Sequence, residues 1–368
     1  MKTNTKVLGS PQKYIQGAGA LNELGKWCKP FGTKVYVILD DFVKGIAGDR
    51  IEKSIKGAGI EVTLNKFDGE SSMEEINKHV KEAKSQGANV IVGVGGGKTL
   101  DTAKATAHLI DSPVVISPTL ASTDAPTSAL AIIYTPTGEF ESYMHLPFNP
   151  NIVLVDTEMI VQAPARFLVS GIGDALATYY EAKVCVEAGS ANMAGGLSTK
   201  AAYALATLCA DTLYKHGVQA KKDCEAKKAT PAFEAIVEAN TLLSGLGFES
   251  SGLAAAHSIH DGLTELEETH HFMHGEKVAF GTVAQAIFDD DMEAFNKIVK
   301  FCIELGLPVT LKDLGITEDI EKKVKIVADK TVDKDETIHC YPFKVTSKAV
   351  YDAIIKADIE ATKIKEGK

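Results

Sequence analysis

Short apolar runs alternate with helix-period stretches through the first 160 or so residues, and the alternation then stops. VYVIL at 35–39, EVTLNKF at 61–67 and NVIVGVG at 89–95 are brief and rich in Val and Ile, so each predicts a strand. Helical periodicity near 49–58 and 72–86 fills the gaps between them. PVVISP and NIVLVD predict two later strands, and an apolar run ending at Tyr134 predicts another. Strands separated by helices build a parallel sheet flanked by helices, so this half predicts an α/β domain. From about Pro164 the strand signal gives way to stretches such as STKAAYALATLCADTLYKHG and FNKIVKFCIELG, which predict a mainly helical second half. The change of pattern divides the chain into an α/β domain over 1–163 and a helical domain over 164–368, with Pro164 suited to a first helical turn.

At 368 residues and 45% hydrophobic, the chain is long enough to bury the cores of two domains. A net charge of −10, without any Lys/Arg-rich run, disfavours nucleic acid as a partner. No apolar stretch approaches the length of a bilayer span, so no membrane partner is expected. The six cysteines show no CxxC spacing, and the opening MKTNTKVLGSPQKY lacks the apolar core of a secretory signal; both fit a reducing cytoplasm.

The candidate chemistry falls in three places. The third strand runs directly into GVGGGKTLDTAK, placing Gly95, Gly96 and Gly97 before a helix that begins near Thr99. Glycines let backbone N–H groups approach a phosphate, and the helix N-terminus adds free donors, although a purely structural tight turn fits the same residues. The segment is neither GxGxxG nor a Walker pattern. Asp40, ending the first strand, is a candidate for the ribose hydroxyls of an adenosine, and with Asp41 beside it NAD is favoured over NADP; the alternative is that both cap or solvate a loop. The order is unusual, since the dinucleotide fingerprint places its acid after the glycine turn.

The second place is SPTLASTDAPTSALAIIY, which gathers hydroxyls around Asp124. Thr119 and Ser122 are candidates to line a cofactor, and Asp124 to accept hydrogen bonds from a polyol and assist proton removal; loop formation alone also explains these residue types. The third is AHSIHDGLTELEETHHFMHGEK, which holds five of the ten histidines. Asp174, His257 and His274 supply a possible set of three protein ligands for a catalytic zinc, with one position left for water or substrate. The two histidines are too far apart to share a helical turn, so a fold must bring them together.

Taken in order, the GxGAL entry from Gly17 to Leu21, GVGGGKTLDTAK, SPTLASTDAPTSA, GIGDALATYYEA, AAAHSIHDG and HGEKVAFG resemble the glycerol dehydrogenases of the iron-containing alcohol dehydrogenase superfamily over nearly the whole chain. The resemblance implies an N-terminal α/β domain that is Rossmann-like and dehydroquinate synthase-like, an all-α C-terminal domain, and reversible NAD-dependent oxidation of glycerol to dihydroxyacetone. It implies metal ligands at Asp174, His257 and His274, a phosphate loop at Gly96, Gly97 and Lys98, and the adenosine-side acid at Asp40. Thr119, Ser122, Ser128, Leu130 and Tyr134 match positions lining the nicotinamide cofactor, and Asp124 matches a substrate contact. A cytoplasmic homo-oligomer, commonly an octamer, is implied as well.

One position departs from the iron-type members. They carry a further histidine four residues after the metal-binding aspartate, where this chain has Thr178, and three ligands with an open site favour zinc. His260, His270 and His271 are expected to support the site or lie at the surface. Two related activities stand as alternatives, glycerol-1-phosphate dehydrogenase and a dehydroquinate synthase-like lyase, but no basic cluster accompanies Asp124 or the histidines to serve a phosphate or carboxylate. A sugar- or nucleotide-binding module with a structural metal is the non-catalytic alternative.

Overall fold

The computed structural model describes residues 4–367 and resolves into two compact units. One comprises Gly9–Pro164 with the short segment Ala226–Ala229, and the other comprises the remainder. The described residues before Gly9 pack with the helical unit, where Val7 N–H donates to the Leu197 carbonyl at 3.0 Å. Ala226–Ala229 packs with the α/β unit, where the Lys227 ammonium donates to the carbonyls of Gln162 and Ala163. A single cut at 163/164 misses both excursions, because neither carries enough apolar residues to declare its partner in sequence.

In chain order the α/β unit contains β1 (Lys13–Gly17), α1 (Leu24–Cys28), β2 (Lys34–Leu39), α2 (Asp41–Gly57), β3 (Glu61–Lys66), α3 (Met73–Gln86), β4 (Val90–Gly95) and α4 (Gly97–Leu109). It continues with β5 (Val114–Pro118), β6 (Leu130–Tyr134), β7 (Phe140–His145), β8 (Ile152–Asp156) and α5 (Thr157–Ile160). Six strands form one sheet in the order β1-β8-β5-β4-β2-β3, every pair parallel, and β6 and β7 form a separate antiparallel hairpin. Alternate residues Val35, Val37 and Leu39 and Val90, Val92 and Val94 share one core with Leu21, Leu24, Ile51 and Ile55. That alternation is the period-two signature of a strand with a buried face.

The predicted strands at 35–39, 61–67 and 89–95 appear as β2, β3 and β4. The helix expected near 49–58 begins earlier, at Asp41, because Asp40 caps it: its Oδ1 accepts from Val43 N–H at 2.7 Å. β4 lies beside β2, and β3 on the far side of β2, so the strand order reverses between β2 and β4. Carboxyl ends at such a reversal open a crevice that receives ligands. Asp40 and the glycine turn follow these two neighbouring strands, which explains how the acid can precede the glycines in sequence and still stand beside them.

The second unit contains α6 (Ala165–Ala188), α7 (Lys200–Glu225), α8 (Pro231–Glu238), α9 (Ser244–Ser251), α10 (Ala255–Leu263), α11 (His274–Phe288), α12 (Met292–Leu305), α13 (Ile320–Thr331) and α14 (Ser347–Lys365). Among the described residues, no helix is long and apolar enough to cross a membrane.

Glycines set how closely α6, α10 and α11 approach. A Cβ on Gly275 would stand 1.8 Å from the Ser170 carbonyl oxygen of α6, and one on Gly173 would stand 2.3 Å from the Gly275 carbonyl oxygen. On the other side of α11, a Cβ on Gly281 would meet the Ala256 carbonyl oxygen of α10 at 2.3 Å. Backbone therefore touches backbone where larger residues would force the helices apart.

Candidate metal and dinucleotide sites

These glycine contacts bring three distant residues together. Asp174 on α6, His257 on α10 and His274 at the start of α11 place one ligand atom each within 4.8 Å of the others. Asp174 Oδ1 lies 3.4 Å from His257 Nε2 and 3.2 Å from His274 Nε2. Bonds of about 2.0–2.1 Å to a tetrahedral ion set neighbouring ligand atoms about 3.3–3.4 Å apart, so the spacing fits a small divalent cation.

The imidazoles are oriented from behind. Glu181, fully buried one turn pair beyond Asp174 on α6, takes His257 Nδ1–H at 2.6 Å on Oε2. Its Oε1 accepts the backbone N–H groups of Ala254 and His257 at 2.8 and 3.1 Å. His274 Nδ1 meets His260 Nε2 at 3.0 Å, and His260 Nδ1 meets Asp261 Oδ1 at 2.8 Å. Burial and the charge of His274 push His260 down to about 3, so its ring is neutral. With carboxylates able only to accept, the chain runs from His274 Nδ1–H to His260 and from His260 Nδ1–H to Asp261. Both ligand rings thus turn Nε2 toward Asp174, the tautomer that metal coordination requires.

The electrostatics agree. Burial opposes charge on His257, yet Glu181 and Asp174 on its two sides raise its pKa well above the ordinary value. Burial likewise opposes ionisation of Asp174, but His274 and His257 outweigh it and hold the carboxyl well below its usual range. A cationic ring between two carboxylates marks a place where a divalent ion can replace a proton. Asp174 is 1% exposed, His257 14% and His274 36%, so the set opens on the His274 side.

Thr178 does not reach the set. Its hydroxyl pairs with Ser244 at 2.8 Å, and its methyl lies 2.6 Å from where a Gly247 Cβ would stand, so α9 fills the position. His270 bonds the Thr264 carbonyl and His271 stacks on Phe272, both away from the ligands. Arg166 holds the start of α11 by a bidentate pair with Glu276, at 2.6 and 2.7 Å.

Among the candidates in the α/β unit, Gly95 and Gly96 separate in role. A Cβ on Gly95 would lie 2.7 Å from Thr99, so that glycine serves close packing of α4 on β4. Gly97 has nothing within 4 Å of its Cβ position, and Gly96 only ordinary contact with Leu120, leaving room over the α4 N-terminus. The Lys98 ammonium pairs with Glu70 at 2.6 Å and stands 4.9 Å from the centre of the Tyr134 ring. Thr119 follows β5 and donates its N–H to the Gly95 carbonyl at 3.0 Å. Ser122 and Asp124 lie on the loop before a short 3₁₀ turn, Ala125–Thr127, and Ser128, Leu130 and Tyr134 lead from that turn along β6. Asp41 pairs with Lys66 at 2.9 Å, which offsets part of the negative charge beside Asp40.

Glu181 was the functional residue hardest to read from sequence. Its one signal is a spacing of two helical turns from Asp174 on the same face of α6.

The sequence model of the iron-containing alcohol dehydrogenase family matches residues 11–157. The chain is 52% identical to a glycerol dehydrogenase of Thermotoga maritima, over 95% of each chain. It is 50% identical to a glycerol dehydrogenase of Citrobacter freundii, over 96% of this chain and 97% of that one. The solved structure of glycerol dehydrogenase from Schizosaccharomyces pombe superposes with a TM-score of 0.95 at 42% identity, covering 100% of this chain and 93% of that one. Similarity of this extent in sequence and in fold shows that the chain belongs to the iron-containing alcohol dehydrogenase family, among its glycerol dehydrogenases.

Proposed function

We propose that the protein oxidises glycerol reversibly to dihydroxyacetone, with NAD accepting the hydride and with zinc held by Asp174, His257 and His274. The observation that carries this reading is the pair of imidazoles whose Nε2 atoms are both turned on one buried carboxylate. A divalent cation bound there supplies Lewis-acid polarisation that lowers the pKa of a substrate hydroxyl. Two nitrogens and one oxygen, with Thr178 turned away to Ser244 rather than offering a fourth ligand, match the three protein ligands of catalytic zinc.

The chain's own residues do the rest. Glu181 and the His260–Asp261 pair fix the ligand rings and exclude the wrong tautomer. Asp124 accepts hydrogen bonds from the polyol and assists removal of its proton. Gly96, Gly97 and Lys98 receive the pyrophosphate of NAD, Asp40 takes the adenosine ribose, and Thr119, Ser122, Ser128, Leu130 and Tyr134 line the remainder. Holding the nicotinamide ring against the central carbon of the substrate converts an encounter into a unimolecular step.

A neutral polyol suits the strip better than a phosphate ester. Of the two lysines of α4, Lys98 is assigned to the pyrophosphate of NAD and Lys104 is buried against Asp101 and backbone carbonyls, leaving neither to receive a substrate phosphate. Small vicinal diols such as 1,2-propanediol are expected to serve as well, since they keep the two adjacent hydroxyls and the secondary carbon that gives up the hydride. The test is NADH formation from NAD with glycerol and with glycerol 1-phosphate, side by side. Turnover of glycerol is expected; oxidation of the phosphate ester alone, or silence with both, contradicts the reading.

A further inference from the structure

Lys104 is 1% exposed, in the middle of α4. A buried ammonium is tolerated only when it is paired and hydrogen-bonded, and here the pair lies within α4 while the carbonyl partners all belong to one stretch of chain. Its Nζ lies 2.9 Å from Asp101 Oδ1, donates to the Ala125 carbonyl at 3.0 Å and also to the Leu130 carbonyl, and stands 3.5 Å from the Ser128 carbonyl. The other oxygen of Asp101 accepts the Ile132 N–H at 3.1 Å. One ion pair therefore fastens α4 to the whole stretch from Ala125 to Ile132.

That stretch is also tied elsewhere, the Thr127 carbonyl accepting from Asn149 Nδ2 at 2.9 Å and the Ala129 carbonyl from Leu146 N–H at 2.9 Å, but those bonds do not join it to α4. Ladder pairing of β6 with β7 begins only at Leu130, and the residues before it form a 3₁₀ turn and an extended linker. An apolar contact would pack β6 on α4 without directing three carbonyls to one point. The two ends of the clasp also differ in role: α4 begins at the glycine turn, whereas the clasped stretch follows Asp124 and carries Ser128 and Leu130.

The geometry points to Lys104, together with Asp101, as a positioning residue that sets the distance between the pyrophosphate end of the dinucleotide site and the residues at its nicotinamide end. This rests on the cofactor reading above. It places the effect of the pair on one half of the dinucleotide: binding of ADP-ribose, which lacks nicotinamide, is independent of the clasp, and the added affinity and reactivity of the complete cofactor depend on it.

The experiment compares Kd for ADP-ribose with Kd for NADH, alongside kcat/KM for NAD. Removing Lys104 alone strands a buried carboxylate, so the informative variant is the neutral double substitution Asp101→Asn with Lys104→Met. Asp101→Asn alone, which keeps an oxygen for the Ile132 N–H, is the milder companion should the double variant fail to fold. The expected result is an unchanged Kd for ADP-ribose, loss of the NADH advantage over ADP-ribose, and a fall in kcat/KM of about 100-fold in the double variant, as for a misplacement of roughly 1 Å. Asp101→Asn is expected to move the same ratio in the same direction by less. A folded variant with the wild-type ratio and wild-type kcat/KM overturns the assignment. Failure of the wild-type protein to bind NADH would instead overturn the cofactor reading itself, and the assignment with it.

Discussion

Glu181 holds a ligand ring with one oxygen and the backbone of that ring's helix with the other. Gln in its place keeps one acceptor and turns an N–H toward a donor, so one of these bonds is lost. Glu181→Gln is therefore expected to weaken zinc binding by about 10–100-fold, measured by competition with a chromophoric chelator. Wild-type affinity in that variant would show that His257 needs no support from behind. Glu336 carries a prediction in pH. Burial, with Asp261 nearby, raises its carboxyl from 4.5 to about 7. An acid with a raised folded pKa keeps its proton longer in the folded chain, so ionisation removes stability progressively as pH climbs from the unfolded value to the folded one. Glu336→Gln is thus expected to raise Tm more at about pH 8 than at about pH 5, and an equal shift at both would contradict the sign. At this scale Asp174, His257 and His274 stand out in sequence as candidates because His and Asp in such a pattern are rare, whereas Glu181 and Lys104 do not. A glutamate on a long helix, or a lysine in a helix of small residues, looks like a solvated side chain until burial is known.

At the scale of elements, the ligand set exists because three helices approach through glycine. Gly275→Ala would drive a methyl into the α6 backbone at Ser170, and relief requires α11 to move away and carry His274 with it. The expected outcome is a stability loss of about 1–3 kcal/mol or more together with weakened zinc binding. Gly45→Ala on α2 is the control, since its Cβ meets nothing within 4 Å. That change is expected to raise stability by about 0.4–1 kcal/mol and leave the metal site untouched. Metal affinity unchanged in Gly275→Ala would sever the proposed link between helix spacing and ligand geometry. The strands β2, β4, β5 and β8 could be read because burial on both faces makes them continuous apolar runs. β7, with the sequence FESYMH, is mostly exposed and carries no such run, and the start of α2 was obscured because its capping aspartate also reads as a ribose ligand.

Across the whole molecule the two units divide the chemistry. The α/β unit carries the glycine turn, the acid that ends β2 and the hydroxyl-rich strip around Asp124, and the helical unit carries Asp174, His257 and His274. The order of the strands could not be read from the chain, since adjacency of β2 and β4 depends on non-local pairing; with it, the reversed order of acid and glycines becomes an ordinary crevice at a switch point. The account stands on a metal held by three side chains and required for turnover. The most direct measurement is NADH formation from NAD and glycerol by protein stripped with a chelator and then titrated with zinc, with His257→Ala and His274→Ala treated in parallel. The account predicts that activity vanishes on stripping, returns in the native protein with a single equivalent of zinc per chain, and does not return in either variant. Activity that persists in protein verified to be free of metal, or that zinc restores to both variants, would contradict it.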